Sequence, residues 1–343
     1  ALVASLAWAA GASAAEELEA AAALAARLEE AGVGQVVRFS AETHVGEALR
    51  GGSPVVMMHG MGDFGSNPMG MEPLRKSIAE EAGAHVRSVE LCSRREQVEG
   101  CPTEDQSNGF LMNMDDQVEQ FARVVRSDSE LSGGFNAIGF SQGNLVIRGY
   151  IHRYNDPPVK NFLSMHGVMM GVAGLPQCPL GVPGIDLLCK SVDSLASHGI
   201  YTPFVQRRLA QANYYRDPKH IGMYLREGHF LPYINNEVEG GRNSTYTHNF
   251  RALEKLVLVM AADDTMVHPK ESEHFGFFKE GSMFEMLDMH ATPWYVGDWF
   301  GLRTLDEAGR VDRYTTPGNH LRFTRDFLLQ LVRRYFTMAD FQI

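Results

Sequence analysis

The chain has 343 residues, of which 44% are hydrophobic, so it can bury a large core as one big α/β domain or two ordinary ones. Its formal net charge is −11. No Lys/Arg stripe stands out, which argues against a nucleic-acid partner.

The 13 His give that charge a pH dependence. Protonating all of them would move the formal charge from −11 to +2, so an acidic compartment would largely erase it. No Pro/Gly/Ser-rich linker, internal repeat or long charge block divides the chain, and one main domain is expected over residues 53–343.

Residues 1–14 hold an apolar stretch ending in Ala12-Ser13-Ala14, which reads as the remnant of a signal peptide with its cleavage site, the alternative being an Ala-rich helix. Residues 15–52 read as a helical extension, with a strong helix over 16–31 stopped by Gly32. No other stretch is apolar enough to span a bilayer, so no transmembrane segment is expected in the mature chain.

Residues 54–60, PVVMMHG, form a continuous apolar run ending in glycine, the pattern of a strand buried on both faces. A helix is expected at 71–82, a strand at 85–91 and an amphipathic helix at 115–125. A strand then runs over 135–141 into a helix at 142–154, and further strands fall at 159–165 and 256–262. A late strand at 310–315 and an amphipathic helix at 321–336 close the pattern. Strands alternating with helices mean βαβ units and a mostly parallel sheet. Residues 167–250 break that rhythm and read as a largely helical insertion over the sheet.

Four Cys fall into two local pairs, Cys92/Cys101 and Cys178/Cys189, in loop-like segments without C-x-x-C metal spacing. Local disulfides in an oxidising compartment fit them best. Asn243-Ser244-Thr245 is a glycosylation sequon in a polar loop and agrees with that compartment.

The chemistry centres on Ser141, between Gly139 and Gly143 at the strand-to-helix junction. With this Ser and Gly content, G-x-S-x-G arises by chance roughly 0.2 times per chain, so the pattern alone is weak. A strand before it and a helix after it are what a nucleophile elbow requires. A serine hydroxyl needs a base, and the base an orienting acid, here in the chain order Ser, Asp/Glu, His. Asp263 and Asp264 follow the buried strand at 256–262, and either can fill the acid's place on sequence grounds. His320 follows a Pro-Gly turn before the last helix. His268 lies only four residues past Asp264, too near to come from the next strand end. Backbone N–H groups of Gln142 and of Met61, in the HGMGD loop after the first strand, are the candidate oxyanion donors. His59 is expected to order that loop rather than act as a base.

In this order, HGMGD, NPMGMEPL, NAIGFSQGN, GVAGLPQC, DDTMVHPKESEHFGFF and GNHL resemble the palmitoyl-protein thioesterases, lysosomal depalmitoylating enzymes, from about residue 54 to 335. The resemblance implies an α/β-hydrolase fold whose insertion forms much of a fatty-acyl groove. It implies a triad of Ser141, Asp264 and His320, with Met61 and Gln142 as oxyanion donors. It favours Asp264 over Asp263, because the family's acid is the second of the pair. It matches Cys178 and Cys189 to a family disulfide and Asn243 to a glycosylated position. S-acylated proteins or peptides and fatty-acyl thioesters would be the partners, in the lysosomal or vacuolar lumen or outside the cell, with no metal or cofactor. A lipase or carboxylesterase acting on oxygen esters is the alternative.

The chain departs from the family pattern in four ways. Asn144 replaces a glycine of its usual GFSQGG, a change expected to bear on helix packing. Phe64-Gly65-Ser66 stands where better-known animal members have adjacent cysteines, and a second family Cys pair is missing. The polar stretch CSRREQVEGCPTEDQSNG is expected to be a loop particular to this chain.

Overall fold

The structure is a computed structural model that describes residues 52–94, 96–174 and 199–337. The signal segment, nearly all of the 15–52 extension, and the Cys178/Cys189 pair lie outside the described residues.

Six strands form one parallel sheet: β1 (Val55–Met58), β2 (Val86–Ser88), β3 (Phe135–Phe140), β4 (Val159–Met165), β5 (Lys255–Ala261) and, last in the chain, β8 (Val311–Thr316). Their order is β2-β1-β3-β4-β5-β8. A small antiparallel hairpin, β6 (Phe277–Phe278) with β7 (Met286–Leu287), lies between β5 and β8 in the chain. The continuous apolar runs are explained by burial on both faces. Val55 and Met57 of β1 join Ile138 and Leu163 in a core closed by α1 (Met71–Ala82) and by the last helix, Arg325–Phe336. Val56 and Met58 face the other way, against α3 (Met114–Ser127) and α4 (Gly143–Arg153).

The chain runs from β1 outward to β2, then returns to the other side of β1 to form β3. That reversal opens a crevice at the carboxyl ends of β1 and β3, the usual binding place in an open α/β sheet. The HGMGD loop follows β1 and Ser141 follows β3. The architecture is an α/β-hydrolase fold.

Three expectations need correction. The strand expected over 85–91 is regular only at Val86–Ser88, although Val89 and Leu91 stay in the core. The last helix begins at Arg325, because Leu321 takes a left-handed φ of 53° and the Thr324 side chain caps the Phe327 N–H. The stretch expected to be a loop contains α2 (Pro102–Leu111). Its start is marked by Pro102 and by Glu104 and Asp105 in the first turn, both favourable at a helix N-terminus. Cys101 caps that helix and is disulfide-bonded to Cys92, with Cα atoms 5.7 Å apart. The described part of the insertion consists of short helices, from Pro203–Gln206 to Ser244–Arg251, joined by turns.

Candidate active site

Ser141 occupies the turn between β3 and α4 with φ at 52°. A residue other than glycine rarely holds this left-handed conformation, and it costs of order 1 kcal/mol or more. The flanking glycines make it feasible. A Cβ on Gly143 would sit 2.4 Å from both the Met58 and His59 carbonyl oxygens, and one on Gly139 would sit 2.3 Å from Asn144 Oδ1. The elbow therefore presses directly on the end of β1. Gly60 completes the joint, since a Cβ there would lie 2.9 Å from Ser141 Cβ.

Ser141 Oγ lies 2.9 Å from His320 Nε2, and His320 Nδ1 lies 2.5 Å from Asp264 Oδ2. Asp264 Oδ1 accepts the Met266 and Val267 N–H groups, both at 2.7 Å. Burial acts to raise the Asp264 carboxyl, but the hydrogen bond and charge of His320 and the neighbouring donors outweigh it and hold it at about 2. An ionised Asp264 fixes the proton on Nδ1 and leaves Nε2 free to accept the serine proton. Asp263 is exposed and donates only its backbone N–H, to the Gly318 carbonyl at 2.9 Å. His268 is exposed too, its ring against Phe278. The structure thus brings together Ser141, His320 and Asp264, and leaves Asp263 and His268 aside.

The backbone N–H groups of Met61 and Gln142 donate to no acceptor among the described residues. His59 anchors the loop that carries Met61. Its Nδ1 lies 2.9 Å from the Gly60 carbonyl and its Nε2 lies 2.7 Å from Asp105 Oδ1. Both partners are acceptors, so both ring nitrogens carry protons and the buried imidazole is a cation. Burial opposes that charge, yet the charge and hydrogen bond of Asp105, with help from Asp63 and the Gly60 carbonyl, raise His59 to about 9. Asp105 is fully buried on α2 and also accepts the Gly65 and Leu91 N–H groups, each at 2.7 Å. One carboxylate thus ties the loop after β1 to α2 and to the chain after β2.

This pair sets a testable stability. Because His59 is raised above its ordinary value of 6.5, its contribution is complete below about pH 6.5 and is lost as pH rises through about 9. Removing one member of a buried ion pair costs about 3–5 kcal/mol. Asp105→Asn should therefore unfold at markedly lower denaturant at pH 6, and the gap to wild type should narrow above about pH 9. Equal midpoints at pH 6 would contradict the ion pair.

The family model described as palmitoyl protein thioesterase matches residues 54–320. The chain belongs to that family. Palmitoyl-protein thioesterase 1 of Caenorhabditis elegans is 39% identical over 285 residues, which span 82% of this chain and 91% of that protein. Palmitoyl-protein thioesterase 3 of Dictyostelium discoideum is 36% identical over 268 residues, 78% of this chain and 84% of that one. The lysosomal thioesterase PPT2 homolog of Drosophila melanogaster is 29% identical over 270 residues, 78% and 85% of the two chains. Membership makes the chain a thioester hydrolase.

Against the thioesterase pattern, Asn144 does more than pack a helix. Its Nδ2 donates to the Ser141 carbonyl at 3.0 Å and to the Met165 carbonyl at 3.2 Å, bracing the elbow from below. The Gln142 side chain is tied in as well. It donates to the Gly109 carbonyl at 2.8 Å and accepts from Gln211 and Tyr214, both at 2.9 Å. His166 also escaped the sequence reading. Its Nδ1 accepts the Leu321 N–H at 2.8 Å and its Nε2 donates to Thr316 Oγ1 at 2.9 Å, so it steadies the loop next to His320. Burial first, then the neighbouring His320, hold it at about 3 and therefore neutral. The available signal was position: His166 directly follows a strand, as the elbow serine does.

Proposed function

We propose that this thioesterase hydrolyses long-chain fatty-acyl thioesters, as on S-acylated proteins or peptides, through an acyl-enzyme on Ser141. The observation that carries the mechanism is the hydrogen-bonded chain from Ser141 Oγ through His320 to Asp264, set beside two free backbone donors.

His320 Nε2 takes the serine proton as Oγ bonds to the thioester carbonyl carbon, while Asp264 holds the imidazolium. The oxyanion receives the N–H groups of Met61 and Gln142. The carbonyl reforms, the C–S bond breaks, and the thiolate departs with the proton from Nε2. A thiol, with a pKa of about 8.5, leaves readily. Water, deprotonated by His320, then attacks the acyl-serine and releases the fatty acid.

A small apolar cluster lies beside the loop that carries Met61. Phe110, Val205, Leu209 and Ala212 are buried together, with Met61 and Ile200 packed against them. The cluster joins the oxyanion loop to the insertion. Other apolar residues in the described part of the insertion, such as Met170, Phe230 and Leu231, belong to the main core, so they are not surplus for a ligand.

The secretory setting remains part of the same proposal. The Cys92–Cys101 disulfide supports it, as do the exposed Asn243 sequon and a Drosophila relative named as lysosomal. Among the described residues, no helix is long and apolar enough to cross a membrane.

The decisive comparison is kcat/KM on matched thioesters and oxygen esters of eight and sixteen carbons, below their micelle concentrations. Each buried CH₂ contributes about 0.8 kcal/mol, so eight more could add roughly 6 kcal/mol before the cost of ordering the chain. A clear preference for the long thioester is expected. Preference for the oxygen ester, or a flat response to chain length, would point instead to a lipase or carboxylesterase.

A further inference from the structure

One buried acid beside the site has no part in these steps. Glu273 lies on the single-turn helix Lys270–His274 and is fully buried. Its Oε2 accepts the Ala261 N–H at 3.0 Å. The sheet explains that bond. Strand β4 ends with Met165 opposite Val259, so Ala261, two residues on and turned to the same side, has no strand partner there. The other oxygen, Oε1, is buried and meets no N–H or O–H donor. The Glu273 carboxyl instead lies within hydrogen-bonding range of Asp264.

Two carboxyl groups cannot share a buried contact as two anions, so one must be protonated. The surrounding donors decide which. Asp264 receives His320 Nδ1 and two backbone N–H groups, whereas Glu273 receives one. The other charges nearby do not change this outcome. Glu271, on the same turn, adds negative charge. Lys270 gives its ammonium to the Ala262 carbonyl. His274, which bonds the Tyr314 carbonyl, is held at about 4 by burial and by Arg313. Arg313 itself pairs with Asp288 at 3.3 Å. Among the described residues, no cation forms an ion pair with Glu273.

We propose that Glu273 is a neutral carboxylic acid that donates a hydrogen bond to Asp264, a positioning residue that extends the chain to Ser–His–Asp–Glu. The proposal rests on the triad reading above. Burial, with the charge and hydrogen bond of Asp264, pushes Glu273 up to about 11, which agrees with the geometry. The functional consequence follows from charge. A second anion here would draw a proton onto His320 and disable it as a base in an acidic compartment. A neutral donor stabilises the Asp264 carboxylate and weakens its pull on that proton.

Glu273→Gln tests this, because the amide keeps a donor for Asp264 and an acceptor for Ala261 but cannot ionise. Two readouts apply: the pH profile of kcat/KM on a soluble palmitoyl thioester, and the carboxyl carbonyl band in the infrared difference between wild type and variant. The acid limb of Glu273→Gln should stay within about 0.3 pH unit of wild type, with kcat within about threefold. Wild type should show a protonated-carboxyl band at neutral pH that the variant lacks. Glu273→Ala, which supplies no donor, should lose at least about tenfold in kcat with little change in KM, and its acid limb should move up.

An acid limb that falls further in Glu273→Gln would mean that wild-type Glu273 is an anion, and would overturn the proposal. So would absence of the protonated band, or an alanine variant with wild-type kcat. If the alanine variant does not fold, the glutamine variant still decides. The infrared arm can be repeated in Ser141→Ala protein, so an error about the nucleophile would be told apart from an error about Glu273.

Discussion

Ser141→Ala should abolish turnover while leaving the fold intact. The hydroxyl is the only group lost, and in the structure it bonds His320 Nε2 at 2.9 Å. Removing the serine of a comparable triad lowers kcat by about 10⁶, leaving only what the oxyanion donors and binding supply. The unfolding midpoint should hold or rise slightly, because alanine removes a polar atom from a partly buried turn. It still has to adopt the left-handed φ of 52°, so little strain is relieved. Single-turnover assay with a palmitoyl thioester and denaturant unfolding would check both halves. Activity within tenfold of wild type would reject Ser141 as the nucleophile.

Asp264→Asn comes next in expected size. Asparagine would have to satisfy His320 Nδ1–H and the Met266 and Val267 N–H groups through one carbonyl oxygen, and its amide would offer donors where acceptors are needed. The imidazole then loses the tautomer that leaves Nε2 free. In a comparable triad, that change lowers kcat by about 10⁴. Asp263→Asn, at an exposed side chain, should stay within about twofold. Losses of equal size in the two variants would contradict the geometry, since only Asp264 faces the histidine.

The central sheet could be read from the sequence because strands buried on both faces appear as unbroken apolar runs, as in Val55–Met58 and Phe135–Phe140. Ser141 and His320 were legible too, since each follows a strand and the chain order constrains the choice, whereas strand position left Asp263 and Asp264 both open and only the family resemblance favoured Asp264. Helix Pro102–Leu111 was hidden by its polarity, with Asp105 turned inward by a partner 46 residues away in His59. Glu273 and His166 were missed for a related reason. The partner of His166, Leu321, follows a different strand, Glu273 meets Asp264 by the fold-back of the chain after β5, and local periodicity carries no information about either pair.

The glycines around Ser141 bear on how the enzyme moves. At Gly143 the elbow meets the end of β1 and His59 backbone to backbone, and at Gly60 the loop after β1 lies directly against Ser141 Cβ. A joint this tight has no gap to close, so the Met61 and Gln142 N–H groups, the proposed oxyanion donors, sit at a fixed separation before any substrate arrives. Adaptation to an incoming acyl chain has to occur elsewhere. Among the described residues, the direct polar link from the elbow to the insertion is the Gln142 side chain with Gln211 and Tyr214. Motion of the insertion would reach the nucleophile through that link, as a tug on the residue next to it, while the oxyanion frame stayed still.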